Sequence, residues 1–193
     1  NRGIGYEACR QLTKQGIHVV LASRDQQNGE QAVRELQKEG LEVSLTLLDV
    51  SFADSVEHCY KDLHKRDIEI DILVNNAGVY LTTPIEQVSE SEFMETLQIN
   101  LLGAWRTAKA FFPGMQRRGY GRIINVSSGG GQMSRQGGPG PGAYGISKAA
   151  LNALTLELAA RASGNVKVNS IDPGWVATRM GGYNAPVTPA KAT

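Results

Sequence analysis

The sequence predicts an α/β fold in which a doubly wound parallel sheet lies between two layers of helices, a three-layer α/β/α arrangement. Two observations predict it. Short, mostly apolar segments alternate with longer segments of helical periodicity along the 193 residues, as expected when a parallel sheet is covered on both faces. Polar residues and glycines gather where the apolar segments end, and ligands of such sheets bind beyond those ends. Right-handed crossovers between successive strands complete the doubly wound arrangement.

The first half of the chain contains three helical patterns with suitable ends. Asp25 can cap the second helix, and Ser51 with Asp54 forms a capping box for the third. Gly16 and Gly40 are suited to ending the first and second helices. We therefore expect helices over about 4–15, 26–39 and 52–63, and strands over 18–23, 41–47 and 70–74.

The second half continues the alternation. Ser89 and Glu92 form another capping box, which begins a long helix that runs to about Met115. A glycine-rich loop over 128–143 separates a strand from the next helix. The expected elements are that first helix, a strand over 122–127, a helix over about 144–162 and a strand over 166–171.

The composition is that of an ordinary globular protein and favours one domain over residues 1–193. Hydrophobic residues make up 41%, charged residues 20%, and the formal net charge is +1. A charge near zero gives no electrostatic reason to expect a nucleic-acid partner or an anionic membrane surface. No apolar run approaches the ~20 residues that cross a bilayer, and no signal peptide is visible. We therefore expect a cytoplasmic protein.

The cysteines and histidines predict no metal site. Cys9 and Cys59 lack the spacing of a metal or redox motif. Each lies in a helical pattern, which favours buried free thiols in a reducing compartment. The three histidines have no cluster of ligands around them, so we expect no bound metal.

Tyr144 and Lys148 form a candidate acid/base pair. Four residues apart on a helix, their side chains lie on the same face. A tyrosine pKa near ~10 is too high for proton exchange at neutral pH, and a nearby positive charge lowers it. The alternative is an ordinary tyrosine and lysine on the surface of an amphipathic helix. The polar residues at the other strand ends favour the acid/base pair, because all of them are expected at the same edge of the sheet. They are Ser23-Arg24, Asp49, 75–78, 127–128 and 173–174.

These motifs in this order resemble the short-chain dehydrogenase/reductase family. The sequence around Ser128 and Trp175 is most similar to its carbonyl-reductase branch. The fold of that family is Rossmann-like. The matching segments are Gly3 and Gly5, Asp49-Val50, 75–78, Asn100, 125–128, 144–148 and 173–178.

The resemblance implies hydride transfer between NADP(H) and a carbonyl or alcohol substrate. Tyr144 would exchange a proton with the substrate oxygen, and Lys148 would lower the tyrosine pKa and bind the nicotinamide ribose. Ser128 would hold the substrate oxygen, and Asn100 would anchor a water in a proton relay behind Lys148. Ser127 competes with Ser128, since adjacent strand residues point to opposite faces, and the family pattern favours Ser128.

The same resemblance implies a dinucleotide site. Glycines let the backbone approach a pyrophosphate at a helix N-terminus. An acid often follows the second strand in enzymes that prefer NAD, whereas Ser23-Arg24 stands there, and two arginines could clamp a 2′-phosphate. NADP(H) is therefore favoured over NAD(H). The expected cofactor-binding residues are Arg2, Gly3, Ile4, Gly5, Ser23, Arg24, Asp49, Val50, Asn76, Ala77, Gly78, Tyr144, Lys148, Pro173, Gly174, Val176 and Thr178.

The sequence departs from the family pattern at both ends. The first strand and the last helix and strand of the family fold are missing, which we interpret as truncation. Loss of the first strand would leave a gap or an exposed pairing edge in the sheet. Homo-oligomers would then form through the long helices. The alternatives are a catalytically inactive NADP-binding or regulatory protein, or another enzyme class on the same sheet, such as a methyltransferase.

Overall fold

The structure is a computed structural model that describes residues 1–134 and 140–193. Part of the expected glycine-rich loop, residues 135–139, lies outside the described residues. Two compact units are formed by the chain: Asn1–Asp49, Asp54–Arg66 and Gly174–Thr193 make the first, and Val50–Ala53 and Asp67–Pro173 make the second. No helix in the described part of the chain is long and apolar enough to cross a membrane.

The first unit is built around a two-stranded parallel sheet. The strands β1 (Val19–Ser23) and β2 (Val43–Leu47) pair in register from Val19 opposite Val43. Its helices are α1 (Gly3–Lys14), α2 (Gln26–Lys38), most of α3 (Ala53–Lys65) and the short α7 (Pro189–Ala192). Asp25 accepts a hydrogen bond from the Asn28 amide at the start of α2, which confirms the expected cap. Leu21 and Leu36 lie at the centre of its apolar core.

The second unit is built around a three-stranded parallel sheet in the order β3-β4-β5. Its strands are β3 (Ile72–Asn75), β4 (Tyr120–Val126) and β5 (Asn165–Ile171). Its helices are α4 (Glu90–Leu97), α5 (Gly103–Arg118) and α6 (Gly142–Arg161), with a π-helical segment, Gln98–Leu102, between α4 and α5. The Ser89 hydroxyl accepts from the Glu92 amide, which confirms the expected start of α4.

The alternation of strands and helices and the parallel pairing confirm a Rossmann-like α/β fold. The described strands form two sheets, one of β1 and β2 and one of β3, β4 and β5. Within its sheet β3 is an edge strand, and its Val74 is 37% exposed. The expected long helix that begins after Ser89 is found as α4, the π-helical segment and α5 in succession, and it ends at Arg118 rather than at about Met115.

A buried polar network joins the second unit's sheet to its helices. Asn75 and Asn125 are register partners on β3 and β4, and the Asn75 amide donates to Asn125 Oδ1 at 2.9 Å. Thr107 on α5 donates to Asn75 Oδ1 at 2.7 Å, while the Asn125 amide donates to Thr155 Oγ1 on α6 at 2.8 Å. Because these polar groups satisfy one another away from water, they fix where α5 and α6 lie on the sheet.

Candidate active site

Tyr144 and Lys148 lie on the first turns of α6 and face the same side, as their spacing predicts. The Tyr144 and Lys148 side chains are both buried, with 8% and 5% of each residue exposed. Lys148 Nζ lies 5.8 Å from the centre of the Tyr144 ring and donates to the Val126 carbonyl at the end of β4, at 2.7 Å. This arrangement excludes the alternative of an ordinary surface pair.

The pKa values of this pair are displaced in opposite directions, both by burial. Removal from water disfavours a charge, so burial lowers the pKa of Lys148 from 10.5 to about 8. Burial also raises the pKa of Tyr144; the hydrogen bond with Ser128 lowers it, and the neighbouring Tyr80 and Asp172 raise it further. The expected lowering of the tyrosine pKa by Lys148 is therefore not found in the chain itself, because desolvation of the phenolate outweighs the hydrogen bond with Ser128.

Ser128 and Ser127 point in different directions, as expected for adjacent extended residues. Ser128 forms a hydrogen bond with Tyr144 that favours the phenolate, and its Oγ accepts from the Gly130 amide at 3.0 Å. Ser127 is 5% exposed, and its hydroxyl has no hydrogen-bond partner in the part of the chain that the structure describes. Of the two serines, Ser128 is therefore the one placed beside the phenol.

Asn100 lies at the middle of the π-helical segment and is 1% exposed. Its Oδ1 accepts from the Val79 amide at 2.8 Å, and its Nδ2 donates to the Val79 carbonyl at 3.0 Å. The same Nδ2 donates to Ser147 Oγ at 3.0 Å, and Ser147 donates to the Tyr144 carbonyl at 2.7 Å. Asn100 thus ties the segment after β3 to the turn of α6 that bears both Tyr144 and Lys148.

Sequence reasoning missed two residues of this site. Ser147 is fully buried between Asn100 and the Tyr144 carbonyl; serine is a weak residue for a helix interior, which was an available signal. Tyr80 packs edge-to-face on Tyr144, with ring centres 4.7 Å apart and planes at 87°. Because Tyr80 is 44% exposed, its ring forms a solvent-accessible surface beside Tyr144. No pattern in the sequence indicated Tyr80.

In the first unit, some of the expected cofactor-binding residues lie together at the start of α1. Gly3 has a φ of +56°, and a β-carbon there would lie 3.2 Å from Thr178 Cγ2. Gly3, Ile4 and Gly5 form the first turn, where no acidic residue opposes an anion. Free amides and a positive helix end suit a pyrophosphate, so this end of α1 fits the dinucleotide that the sequence predicts.

The remaining residues expected to bind the cofactor differ in burial and are divided between the two units. The Ser23 hydroxyl donates to the Asp25 carbonyl at 2.7 Å, so it fixes the turn into α2 rather than standing free. Arg24 is exposed. Arg2, Asp49, Gly174 and Val176 belong with them to the first unit, whereas Val50, Asn76, Ala77, Gly78 and Pro173 belong to the second.

Comparison with models of known protein families shows the family of this chain. A model of the short chain dehydrogenase family matches residues 1–186. The chain belongs to the short-chain dehydrogenase family. It is also 40% identical over 178 residues to human "Dehydrogenase/reductase SDR family member 4", a match that covers 91% of this chain and 63% of that protein. This short-chain dehydrogenase therefore spans less than two thirds of the length of that relative.

Solved structures of other short-chain dehydrogenases superpose closely on this one. An alcohol dehydrogenase from the archaeon Thermococcus sibiricus, complexed with 5-hydroxy-NADP, gives a TM-score of 0.86 at 33% identity, covering 99% of this chain and 83% of that chain. A gluconate 5-dehydrogenase from Burkholderia cenocepacia, in complex with NADP and tartrate, gives 0.85 at 29% identity, covering 93% and 69%. Both support the fold and the family.

Proposed function

We propose that this short-chain dehydrogenase transfers a hydride between NADP(H) and a carbonyl or alcohol substrate, with Tyr144 as the acid/base residue. The observation that supports this most directly is the group of Tyr144, Lys148 and Ser128 at the carboxyl end of β4, in which Tyr144 and Lys148 are buried and Ser128 is half-buried. A phenol hydrogen-bonded to a serine and close to an amine is suited to proton exchange with a substrate oxygen, because the proton donor and a second oxygen-binding group stand side by side.

Each residue of the group has a distinct part in the proposed reaction. During reduction, Tyr144 donates its proton to the carbonyl oxygen, which the Ser128 hydroxyl also binds. Lys148 places a cation beside the phenol and favours its ionised form afterwards. Asn100 holds the Val79 segment and, through Ser147, the Tyr144 turn. When bound, NADPH supplies the hydride, and the chain's contribution is to orient the reactants and move the proton.

The cofactor is proposed to bind with its pyrophosphate at the first turn of α1 and its 2′-phosphate at Arg2 and Arg24. Neither arginine makes a side-chain ion pair within residues 1–134 and 140–193, and both are exposed. Guanidinium groups bind phosphate well because their fork matches two oxygens at once. NADP in the complex of one similar structure and 5-hydroxy-NADP in that of another support the same choice.

Removal of the Arg24 side chain tests this cofactor assignment. We expect Arg24→Ala to weaken NADPH binding about tenfold, the loss of one charged hydrogen bond to phosphate, and to leave NADH binding within twofold. Titration of both nucleotides, followed by their fluorescence, gives the two dissociation constants. Arg34→Ala, an exposed arginine on α2 paired with Glu30, is the control. Equal weakening of NADPH and NADH by Arg24→Ala would contradict the 2′-phosphate assignment.

The proposed activity itself is tested with purified protein and a panel of aldehydes and ketones. We expect NADPH oxidation, measured at 340 nm, with at least one carbonyl compound. Tight NADPH binding without turnover across the panel would favour the inactive or regulatory alternative instead. Preference for S-adenosylmethionine over NADPH would favour the methyltransferase alternative.

We also propose that the protein forms homo-oligomers through α5 and α6. Trp105 on α5 is 43% exposed and Leu156 on α6 is 72% exposed. Large apolar side chains on two long helices are typical of a self-complementary helix interface.

A further inference from the structure

Arg106 on α5 is a half-buried cation whose hydrogen bonds join two separate segments of the second unit. Its Nη1 donates to the Val50 carbonyl at 3.0 Å and, at 3.4 Å, to the Gln98 carbonyl. Its Nη2 donates to Gln98 Oε1 at 2.6 Å. All three acceptors are neutral oxygens, and none of the ion pairs found among the described residues includes Arg106.

Because its acceptors are neutral, Arg106 is poorly suited to raising the stability of the fold. Partial burial of a charge costs free energy, and dipoles compensate for it less well than a carboxylate. An apolar side chain could fill the same space without that cost. The geometry of the guanidinium, which reaches two backbone segments at once, therefore indicates a positioning function.

The contact between Val50 and α5 is also closely packed. A β-carbon at Gly103 would lie 2.7 Å from Val50 Cγ2 and 2.9 Å from Val50 Cβ. These distances are too short for a side chain of any size, so glycine is required for Val50 to lie this close to the helix. Gly103 and Arg106 act on the same segment: one permits the approach, and the other fixes the carbonyl.

The second segment that Arg106 holds is the π-helical segment. Gln98 is its first residue, and Asn100, two residues later, binds Val79 and Ser147. A continuous series of contacts thus runs from Val50 through Arg106 and Gln98 to Asn100, and from there through Ser147 to the Tyr144 carbonyl.

We propose that Arg106 is a positioning residue that fixes Val50 for the adenosine end of the cofactor and, through Gln98, holds the π-helical segment of Asn100. This inference rests on the proposed function: the family resemblance implies that Asp49 contacts the adenine amine, and Val50, the next residue, belongs to the cofactor-binding set expected from the sequence. Arg106 itself touches neither reacting atom in this account. Its effect reaches the cofactor through the Val50 backbone and reaches Tyr144 through Asn100.

Binding of NADPH and of adenosine 2′,5′-bisphosphate to Arg106→Met tests the proposal. Methionine keeps most of the apolar stem and removes every donor. We expect both dissociation constants to rise about tenfold, because ligand binding must then also order the Val50 segment that the charged hydrogen bonds of Arg106 now hold in place. The bisphosphate contains only the adenosine end, so its weaker binding locates the defect there. In turnover, the KM for NADPH should rise more than kcat falls.

Arg118→Met is the matched control. Arg118 is an exposed arginine of α5 that also donates to a backbone carbonyl, that of Ile70, at 2.9 Å. It differs from Arg106 in pairing with Glu69 and Asp71, and it lies at the opposite end of the helix. A general loosening of α5 would affect both variants. The proposal therefore requires Arg118→Met to bind both nucleotides within twofold of the unchanged protein, and equal weakening by the two variants overturns it.

Two further substitutions keep the test decisive if Arg106→Met fails to fold. Arg106→Lys retains one donor and should weaken adenosine bisphosphate binding less than methionine does. Gly103→Ala displaces Val50 and leaves Arg106 in place, and it should also weaken adenosine bisphosphate binding. Normal bisphosphate binding by both folded variants overturns the inference, while NADPH oxidation with a carbonyl compound by the unchanged protein upholds the proposed function. No NADPH binding by the unchanged protein overturns both.

Discussion

Tyr144→Phe should reduce kcat for carbonyl reduction at least 10³-fold and leave the dissociation constant for NADPH within twofold. Placed proton donors contribute about 10²–10⁴-fold to rate, and the substitution removes only the hydroxyl. The phenyl ring still fills the site beside Tyr80 and Lys148, so binding and folding should persist. Initial rates of NADPH oxidation, with a carbonyl compound that the unchanged protein reduces, measure the first quantity, and fluorescence titration measures the second.

The pH dependence of kcat gives an independent test of Tyr144 as the proton donor. Reduction needs the protonated phenol, so kcat should fall as pH rises through the pKa of Tyr144, and the variant's residual rate should lack that fall. Tyr60→Phe, on α3 in the first unit, is the control and should retain full activity. Comparable rates for Tyr144→Phe and the unchanged protein would show that another group supplies the proton.

The central pair could be predicted from sequence because its geometry is local. A spacing of four on one helix places Tyr144 and Lys148 on the same face whatever the rest of the fold does. Helix caps are local in the same way, and both Asp25 and Ser89 accept the hydrogen bonds expected of them. The positions of strand ends followed from apolar runs, which are also read over a few residues.

The π-helical segment could not be predicted in this way. Periodicity over 90–115 fits an ordinary helix, and the extra residue is accommodated only because Asn100 binds Val79 and Ser147 from elsewhere in the chain. Mid-helix asparagine was the one visible sign, since its side chain competes with the backbone. Arg106 belongs to the same class, because its acceptors Val50 and Gln98 are brought to it by tertiary structure.

The direction of the Tyr144 pKa was also beyond the sequence. Spacing identifies the favourable neighbour, Lys148, but gives no measure of how much water the fold removes from each group. In the structure, burial dominates both groups and raises one pKa while lowering the other. A lysine with a pKa of about 8 is still mostly protonated at pH 7 and loses its charge just above neutral pH, so only above that range does burial of the lysine add to burial of the phenol in opposing the ionised phenol.

Lys148 should consequently destabilise the folded protein near neutral pH. Its folded pKa of about 8 lies below the ordinary 10.5, so the unfolded chain holds this proton more tightly. The full cost, about 3 kcal/mol from a shift of this size, is present below pH 8 and disappears as pH rises through 10.5. A residue kept at such a cost is typical of a functional site.

Lys148→Met should therefore stabilise the protein relative to the unchanged chain by about 3 kcal/mol more at pH 7 than at pH 10.5, while abolishing measurable turnover. The part of the bond to the Val126 carbonyl that depends on the charge of the amine is already included in the folded pKa, and the part that the neutral amine keeps is equal at both pH values and cancels in this difference. Urea unfolding of both proteins at each pH measures it. Lys109→Met, an exposed lysine of α5, should show a difference near zero. A pH-independent effect of Lys148→Met would mean that the amine is well solvated, and the assignment of Lys148 as the buried cation beside Tyr144 would then be wrong.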